Sequence, residues 1–247
     1  MSELPGFNPE FKNRETENAI ESARIEIIGD IDPSTLSKEE FEQKAWLFHG
    51  ARNPNFQVTE TYDYYGKDYM DDATLGTGLY TTTDKELATN YASTRPNGTL
   101  WKLMPFQARM LNLTSRDERM LNLTFPRELL DEWIDFAQPQ IFNRAISGNV
   151  ISEVQDRLIE VLSKMEKLPA KNEVDLRKDI LGTGKGELTV IDDIWKEFCQ
   201  SKGFDGLIFV EGGDGAATRK NDRTYVFYNS SKIGTFEDWQ RRKASAE

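Results

Sequence analysis

The chain has 247 residues, a formal net charge of −11 and 38% hydrophobic residues, which is enough apolar material for one main domain. The acidic balance and the lack of a polybasic tract disfavour duplex nucleic acid and anionic membranes as partners, although a locally bound RNA stays open. The single cysteine, Cys199, and the single histidine, His49, exclude disulfide frameworks and His-pair metal motifs. Because no apolar leader or membrane-spanning stretch is visible, we expect a cytoplasmic protein.

The N-terminal part of the sequence predicts helices and then two strands. Charge spacing and a capping box formed by Ser37 and Glu40 predict a helical segment within residues 1–45 that packs on the core. The apolar run WLFHG predicts a buried strand. After a polar, aromatic loop, LYTTT predicts a second strand and DKELATNYAS a helix capped by Asp84 or Thr83.

The rest of the sequence predicts further strands interrupted by helices. TLWKLMPF and ARMLNLT alternate apolar and polar residues, as consecutive strands do. Apolar residues at helical spacing predict a helical insertion over about 125–200, and FDGLIFV and TYVFYNSSKI predict the closing strands. A short, fraying helix is expected in the tail, 236–247. The pattern favours an α+β domain over residues 46–235 rather than a doubly wound one, because the strand pairs look antiparallel.

His49 has surroundings that suggest a binding site. Gly50 follows it at once, and its missing Cβ lets a ligand approach the main chain. Tyr80 comes 31 residues later on a predicted strand, and Tyr91 eleven residues after that on the following helix. Two such aromatic rings can face each other across a slot that suits a flat, cationic ring. The alternative interpretation is an ordinary core strand with a buried histidine, followed by an amphipathic helix.

These residues resemble the NAD-binding signature of ADP-ribosyltransferases of the poly(ADP-ribose) polymerase and diphtheria-toxin class. The matching stretches are HGARNPNF at 49–56, GTGLY at 76–80, and Tyr91. The closing stretches GFDGLIFV and TYVFYNSSKI are similar to those of bacterial and phage members. The likeness extends over about residues 46–233 and implies the split antiparallel sheet of that family.

The resemblance also implies roles for the matched residues. His49 would hydrogen-bond a hydroxyl of the adenosine ribose, and the backbone of Gly50 would hold the nicotinamide carboxamide. Tyr80 and Tyr91 would stack on the two faces of the nicotinamide ring. The remaining implied NAD-binding positions are Ala51, Arg52, Asn55, Gly78 and Ala88. NAD+ is then a co-substrate, and no metal is needed.

The third catalytic position, after His49 and Tyr80, departs from the family pattern. Members that make polymers have Glu there, whereas the alignment of the closing strand puts Thr224 at this place. A neutral hydroxyl can donate a hydrogen bond but cannot act as a general base near neutral pH. We therefore expect transfer of a single ADP-ribose unit. The acceptor itself, or a nearby carboxylate, would supply the missing function; the candidates are Glu211, Asp214 and Asp222.

The expected function is thus NAD-dependent mono-ADP-ribosylation of a macromolecule, either protein or RNA/DNA. By analogy with bacterial and phage members, the protein would be a toxin, an effector or an antiphage factor, with an antitoxin or other inhibitor protein as a partner. The loop over 211–223 is the expected place of acceptor recognition. Its basic residues would contact phosphates if the acceptor is a nucleic acid; they are Arg219, Lys220 and Arg223.

Two other classes of function remain open. An inactive module would hold NAD or ADP-ribose in the same slot without releasing nicotinamide. An interaction protein would instead dock a partner through its acidic surface and the aromatic loop, which contains Tyr62, Tyr64, Tyr65 and Tyr69.

Overall fold

The computed structural model describes residues 24–51, 56–58, 78–93, 97–114, 124–126, 173–175, 196–209 and 223–246, and part of 129–140. These residues form a mixed α and β structure, in line with the predicted α+β class. Its main element is a curled sheet of eight strands.

The strands are given in chain order. They are β1 (Arg24–Ile28), β2 (Leu47–Ala51), β3 (Leu79–Thr82), β4 (Thr99–Pro105), β5 (Ala108–Asn112), β6 (Thr124–Pro126), β7 (Glu173–Asp175), β8 (Gly206–Phe209), β9 (Thr224–Phe227) and β10 (Ile233–Gly234). The helices with defined bounds are α1 (Lys38–Lys44), α2 (Lys85–Ser93) and α3 (Phe236–Ala246). Further helical residues lie within 129–140 and at 196–201.

The large sheet has the strand order β1-β5-β8-β9-β3-β2-β4-β10. Its neighbouring strands run antiparallel, as the sequence predicted, except that β5 and β8 run parallel. A parallel pair needs a long crossover connection, and the chain between these two strands includes the predicted helical insertion. Within that insertion, β6 and β7 form a separate two-stranded ribbon that the sequence did not predict.

Of the predicted N-terminal segment, the structure describes residues 24–45, and these are only partly helical. Residues 24–28, which lie within the predicted N-terminal segment 1–45, form β1 at an edge of the sheet, paired with β5. The predicted capping box is present, because Ser37 Oγ accepts from the Glu40 N–H and the Glu40 carboxylate accepts from the Ser37 N–H. Helix α1 buries Phe41, whose ring meets that of Phe236 edge to face at 5.8 Å. This contact joins the N-terminal helix to the C-terminal one.

One face of the large sheet carries the main core. Leu47, Leu103 and Phe227 lie on neighbouring parts of this face, and each is 2% exposed or less. Side chains alternate between faces along each strand, so core residues that share a strand stand two positions apart, as Ala108 and Met110 do in β5. Burying such side chains is the largest favourable contribution to folding.

The short C-terminal helix that the sequence predicted is present, and its first turn is anchored to the rest of the protein. Thr235 and Asp238 cap its first turn, with Asp238 Oδ2 accepting from both the amide and the hydroxyl of Thr235. Trp239 is buried and donates its indole N–H to the carbonyl oxygen of Met104 at 3.2 Å. In the part of the chain that the structure describes, no helix has the length and apolar character needed to span a membrane.

Candidate NAD-binding site

Strands β2 and β3 diverge after a single paired position. In the described ranges they pair only through Phe48 and Thr82. By contrast, β2 pairs with β4 at five positions, and β3 pairs with β9 at four. The backbone pairing of β2 with β3 therefore stops before Ala51 and Leu79, and this unpaired stretch between the two strands is called the gap below.

The imidazole of His49 bridges this gap. Its Nδ1 lies 2.7 Å from the carbonyl oxygen of Tyr80. Because a carbonyl can only accept, this hydrogen bond assigns the proton to Nδ1 and leaves the lone pair on Nε2. Among the described residues, Nε2 makes no hydrogen bond. The side chain thus ties the two strands together where their backbones no longer pair.

His49 is neutral near pH 7. Burial lowers the pKa of its imidazole to about 4, although the hydrogen bond to Tyr80 acts in the opposite direction. Removal from water disfavours the charged form of a histidine, which explains the sign of this shift. At neutral pH the residue therefore offers Nε2 as an acceptor and does not act as a cation.

Two further aromatic rings adjoin His49. The Phe56 ring is 4.7 Å from the imidazole and tilted by 32°, and it is 5.9 Å from the ring of Trp101. Trp101 stands directly opposite His49 in the β2–β4 pair, so the two side chains share a face of the sheet. Sequence analysis assigned no role to Trp101 and none to Phe56 beyond its place in the matched stretch, since no local pattern pairs residues about 50 positions apart.

Gly50 packs against helix α2. A Cβ at this position would overlap the carbonyl oxygen of Ala88 and lie 2.7 Å from the Ala92 nitrogen. The space that a side chain at Gly50 would need is therefore filled by helix α2. The sequence-based explanation of this glycine, that its missing Cβ lets a ligand approach the main chain, is wrong. The Cβ of Tyr91 lies 3.1 Å from the position that a Cβ of Gly50 would take. The side chain of Tyr91 is nevertheless 48% exposed.

The register places the side chains of Tyr80 and Thr224 on the α2 side of the sheet. Thr82 pairs with Phe48 in β2 and with Thr224 in β9, so these three side chains share a face of the sheet. Tyr80 and Gly50 stand two positions from Thr82 and Phe48 along their strands and therefore lie on the same face. His49 and Trp101 lie on the opposite face. Thr224 is only 3% exposed, so its hydroxyl is buried within the sheet.

The other predicted binding residues have packing roles or are not described. Ala51 is buried in β2, and Ala88 is buried beneath Gly50. Gly78 packs against β9, where a Cβ would lie 2.7 Å from Cγ1 of Val226. Several predicted residues lie outside the described ranges: Arg52, Asn55, the four loop tyrosines, Glu211, Asp214, Arg219, Lys220 and Asp222.

Helix α2 is fixed at its start. Oδ1 of Asp84 accepts from the backbone N–H groups of Glu86 at 2.8 Å and Leu87 at 3.1 Å, which confirms the cap predicted from the sequence. Thr83, just before it, exchanges hydrogen bonds with Arg223: its amide donates to the Arg223 carbonyl, and its hydroxyl accepts from the Arg223 amide. The start of α2 and the start of β9 are thereby held together.

Arg223 is paired with a carboxylate. Its Nη1 lies 3.1 and 2.9 Å from the two carboxylate oxygens of Glu26, in β1. Strands β5 and β8 separate β1 from β9 in the sheet, so the pair spans them. Arg223 was expected to contact phosphates if the acceptor is a nucleic acid, whereas its charge here is balanced by Glu26. Within the described ranges, no group of three or more His, Cys, Asp or Glu side chains could hold a metal ion.

Comparisons with known proteins identify no relative. No protein-family model, no curated protein and no solved structure matches the chain.

Proposed function

We propose that the protein is an NAD-dependent mono-ADP-ribosyltransferase that modifies a macromolecular acceptor. The observation that carries the proposal is the bond between His49 and Tyr80 across the gap, beside the contact of Gly50 with the helix that bears Tyr91. These residues were singled out from widely separated stretches of sequence. Their convergence around one gap is what a shared binding site requires.

The α2 side of the gap would hold the nicotinamide. Tyr91 is half-exposed on α2, and Tyr80 belongs to the same face of the sheet. The nicotinamide ring of NAD+ is flat and cationic, so aromatic faces attract it electrostatically as well as by stacking. The carboxamide would hydrogen-bond the backbone of Gly50.

The opposite side of the gap would hold the adenosine half of NAD. Neutral His49 offers Nε2 as an acceptor, and a ribose hydroxyl is a suitable donor. NAD would then lie across the edge where β2 and β3 separate, with its two halves on different faces. This gap is also the feature that favours the split sheet of ADP-ribosyltransferases as the specific fold of residues 46–235.

The proposed reaction breaks the bond between C1′ of the nicotinamide ribose and the ring nitrogen. The bonding electrons move to that nitrogen, and nicotinamide leaves as a neutral molecule. A nucleophile of the acceptor attacks C1′ from the opposite side and loses its proton to the solvent or to a base on the acceptor. Since the leaving group is cationic before departure, orientation and electrostatic complementarity provide most of the catalysis.

Thr224, at the third catalytic position, is the reason to expect transfer of a single ADP-ribose unit. Thr224 is buried and carries no ionisable group, so it cannot activate the hydroxyl of a bound ADP-ribose for chain growth. An acceptor that is already nucleophilic does not need that activation. Acceptor proteins and nucleic acids both contain such groups, and the role of toxin, effector or antiphage factor, countered by an inhibitor protein, stays part of this proposal by analogy.

The same buried threonine favours a second candidate function. Without a carboxylate at this position, the site could bind NAD or ADP-ribose as a module that performs no transfer. The two candidates differ in one product, because only the transferase releases nicotinamide.

The proposal is tested with NAD labelled in its adenylate half. Purified protein and labelled NAD are incubated with a cell lysate, and the products are divided between protease and nuclease digestion. We expect macromolecular label that one of the two treatments removes, and no label with His49→Asn. Equal labelling by the wild type and this variant would overturn the transferase assignment.

A further inference from the structure

The indole N–H of Trp101 is a buried donor without an acceptor. Its Nε1 atom is inaccessible to solvent, and no hydrogen-bond partner lies within reach of it in the described part of the chain. Buried polar groups of native proteins are nearly always paired, so an exception calls for an explanation, such as a group that binds there.

The position of Trp101 points to the site at the gap. Trp101 and His49 are directly opposite each other in neighbouring strands, and their side chains share a face. Phe56 contacts both rings, with centroid distances of 4.7 Å to His49 and 5.9 Å to Trp101. The three rings therefore form one continuous patch on the face that carries Nε2 of His49.

The two unpaired nitrogens of this patch have complementary chemistry. Nε2 of neutral His49 accepts a hydrogen bond, whereas Nε1 of Trp101 can only donate one. A hydroxyl group both donates and accepts, and a sugar diol presents two such groups side by side. A hydroxylated ligand can thus satisfy both nitrogens at once, which a purely apolar or a purely accepting ligand cannot do.

We infer that Trp101 is a second ligand-binding residue of this site, and that its indole N–H donates to the sugar diol whose other hydrogen bond goes to His49. This inference rests on the proposed function for the identity of the ligand. The donor of Trp101 makes the site selective for hydroxylated sugars, which the residues of the NAD-binding signature do not do by themselves.

The chain offers a matched control for this donor. Trp239 has a buried indole whose N–H is already paired, with the carbonyl oxygen of Met104. Trp101→Phe and Trp239→Phe remove the same atoms from an unpaired and a paired indole. Replacing Trp101 by benzothienylalanine removes the N–H at nearly constant size, which separates its effect from that of lost volume.

The experiment measures calorimetric affinity for ADP-ribose and for nicotinamide, together with urea unfolding. We expect Trp101→Phe and the benzothienylalanine variant to bind ADP-ribose about 3- to 10-fold more weakly, the effect of one neutral hydrogen bond. Nicotinamide affinity should not change. Trp239→Phe should lower the unfolding midpoint and leave both affinities intact.

The outcomes separate this inference from the proposed function. Unchanged ADP-ribose affinity in both position-101 variants overturns the role of Trp101, even if the wild type transfers ADP-ribose. Weaker ADP-ribose binding in both supports it, even if the wild type releases no nicotinamide and is a binding module. A wild type that binds no ADP-ribose overturns the role of Trp101, whereas the proposed function is overturned only by the labelling test.

Discussion

His49 donates from Nδ1 to the carbonyl oxygen of Tyr80 across 2.7 Å, at the place where β2 and β3 cease to pair. A side chain here replaces a backbone hydrogen bond of the sheet. Nε2 of the same ring makes no hydrogen bond among the described residues, so the structural role and the proposed binding role of His49 belong to different atoms. That division makes the two roles separable by substitution.

Two substitutions at His49 should separate these roles. Asn places its amide nitrogen near the position of Nδ1, and Gln places an amide oxygen near that of Nε2. We expect His49→Asn to keep its stability and lose ADP-ribose affinity. We expect His49→Gln to lose about 0.5–1.5 kcal/mol of unfolding free energy and retain more of the affinity. Urea unfolding and calorimetry measure both quantities, and a parallel loss in the two variants would contradict separate roles.

The low pKa of His49 predicts a pH-dependent stability. The pKa lies at about 4 in the folded protein, against an ordinary value of 6.5. Between these values the unfolded state binds more protons, so this contribution is present above pH 6.5 and is lost as pH falls toward 4. From pH 7 to pH 5, the wild type should lose about 2 kcal/mol more than His49→Asn does.

The single histidine makes this pKa directly measurable. His49 is the one histidine of the sequence, so its ring protons give an unambiguous titration curve by NMR. A folded-state pKa near 6.5 would contradict the withdrawal of this imidazole from water.

Substitution of Gly50 should destabilise the contact between β2 and α2. A Cβ there overlaps backbone atoms of the helix, which cannot rotate away as a side chain can. We expect Gly50→Ala to cost about 1–3 kcal/mol of unfolding free energy and to weaken nicotinamide binding, because Tyr91 moves with the helix. Ser93→Ala, at the exposed end of the same helix, is the control. If Gly50→Ala is as stable as the wild type, helix α2 does not lie this close to Gly50.

Tyr91 should affect binding more than stability. Its side chain is 48% exposed, so Tyr91→Ala removes little buried surface. Loss of one aromatic face from a cationic ring costs about 1–2 kcal/mol, or roughly 10-fold in affinity. Tyr91→Phe keeps the ring and should bind nicotinamide and NAD nearly as well as the wild type. If Phe and Ala weaken binding equally, stacking is not the role of this residue.

Local sequence patterns predicted those elements whose signals lie within a few residues. Alternation identified the strands at Thr99–Pro105 and Ala108–Asn112, and the Asp84 cap marked the start of helix α2. The edge strand at Arg24–Ile28 was not predicted as part of the sheet, because its partner β5 lies more than 80 residues away. The ion pair of Glu26 with Arg223 was not predicted for the same reason, because the two residues are distant in sequence.

The sequence assigned His49, Tyr80 and Tyr91 to one candidate site, but it did not indicate how the residues around them pack. A glycine after a strand looks the same in sequence whether a ligand or a helix fills the space beside it, which is why Gly50 was misinterpreted. The alignment of the closing strand with the family placed Thr224 at the third catalytic position. The burial of Thr224 depends on its pairing with Phe209 and Thr82, and sequence patterns did not indicate either partner. Trp101 becomes part of the site only through strand register, which composition and motifs do not encode.

Nicotinamide release is the most direct test of whether the His49–Tyr80 gap is an NAD-cleaving site. NAD labelled in its nicotinamide ring is incubated with the protein and a lysate, and free nicotinamide is counted against macromolecule-bound ADP-ribose from a parallel adenylate-labelled reaction. We predict equal amounts of both products for the wild type and neither above background for His49→Asn. Tight NAD binding with no nicotinamide released by the wild type, or release that is unchanged in the variant, would contradict the account.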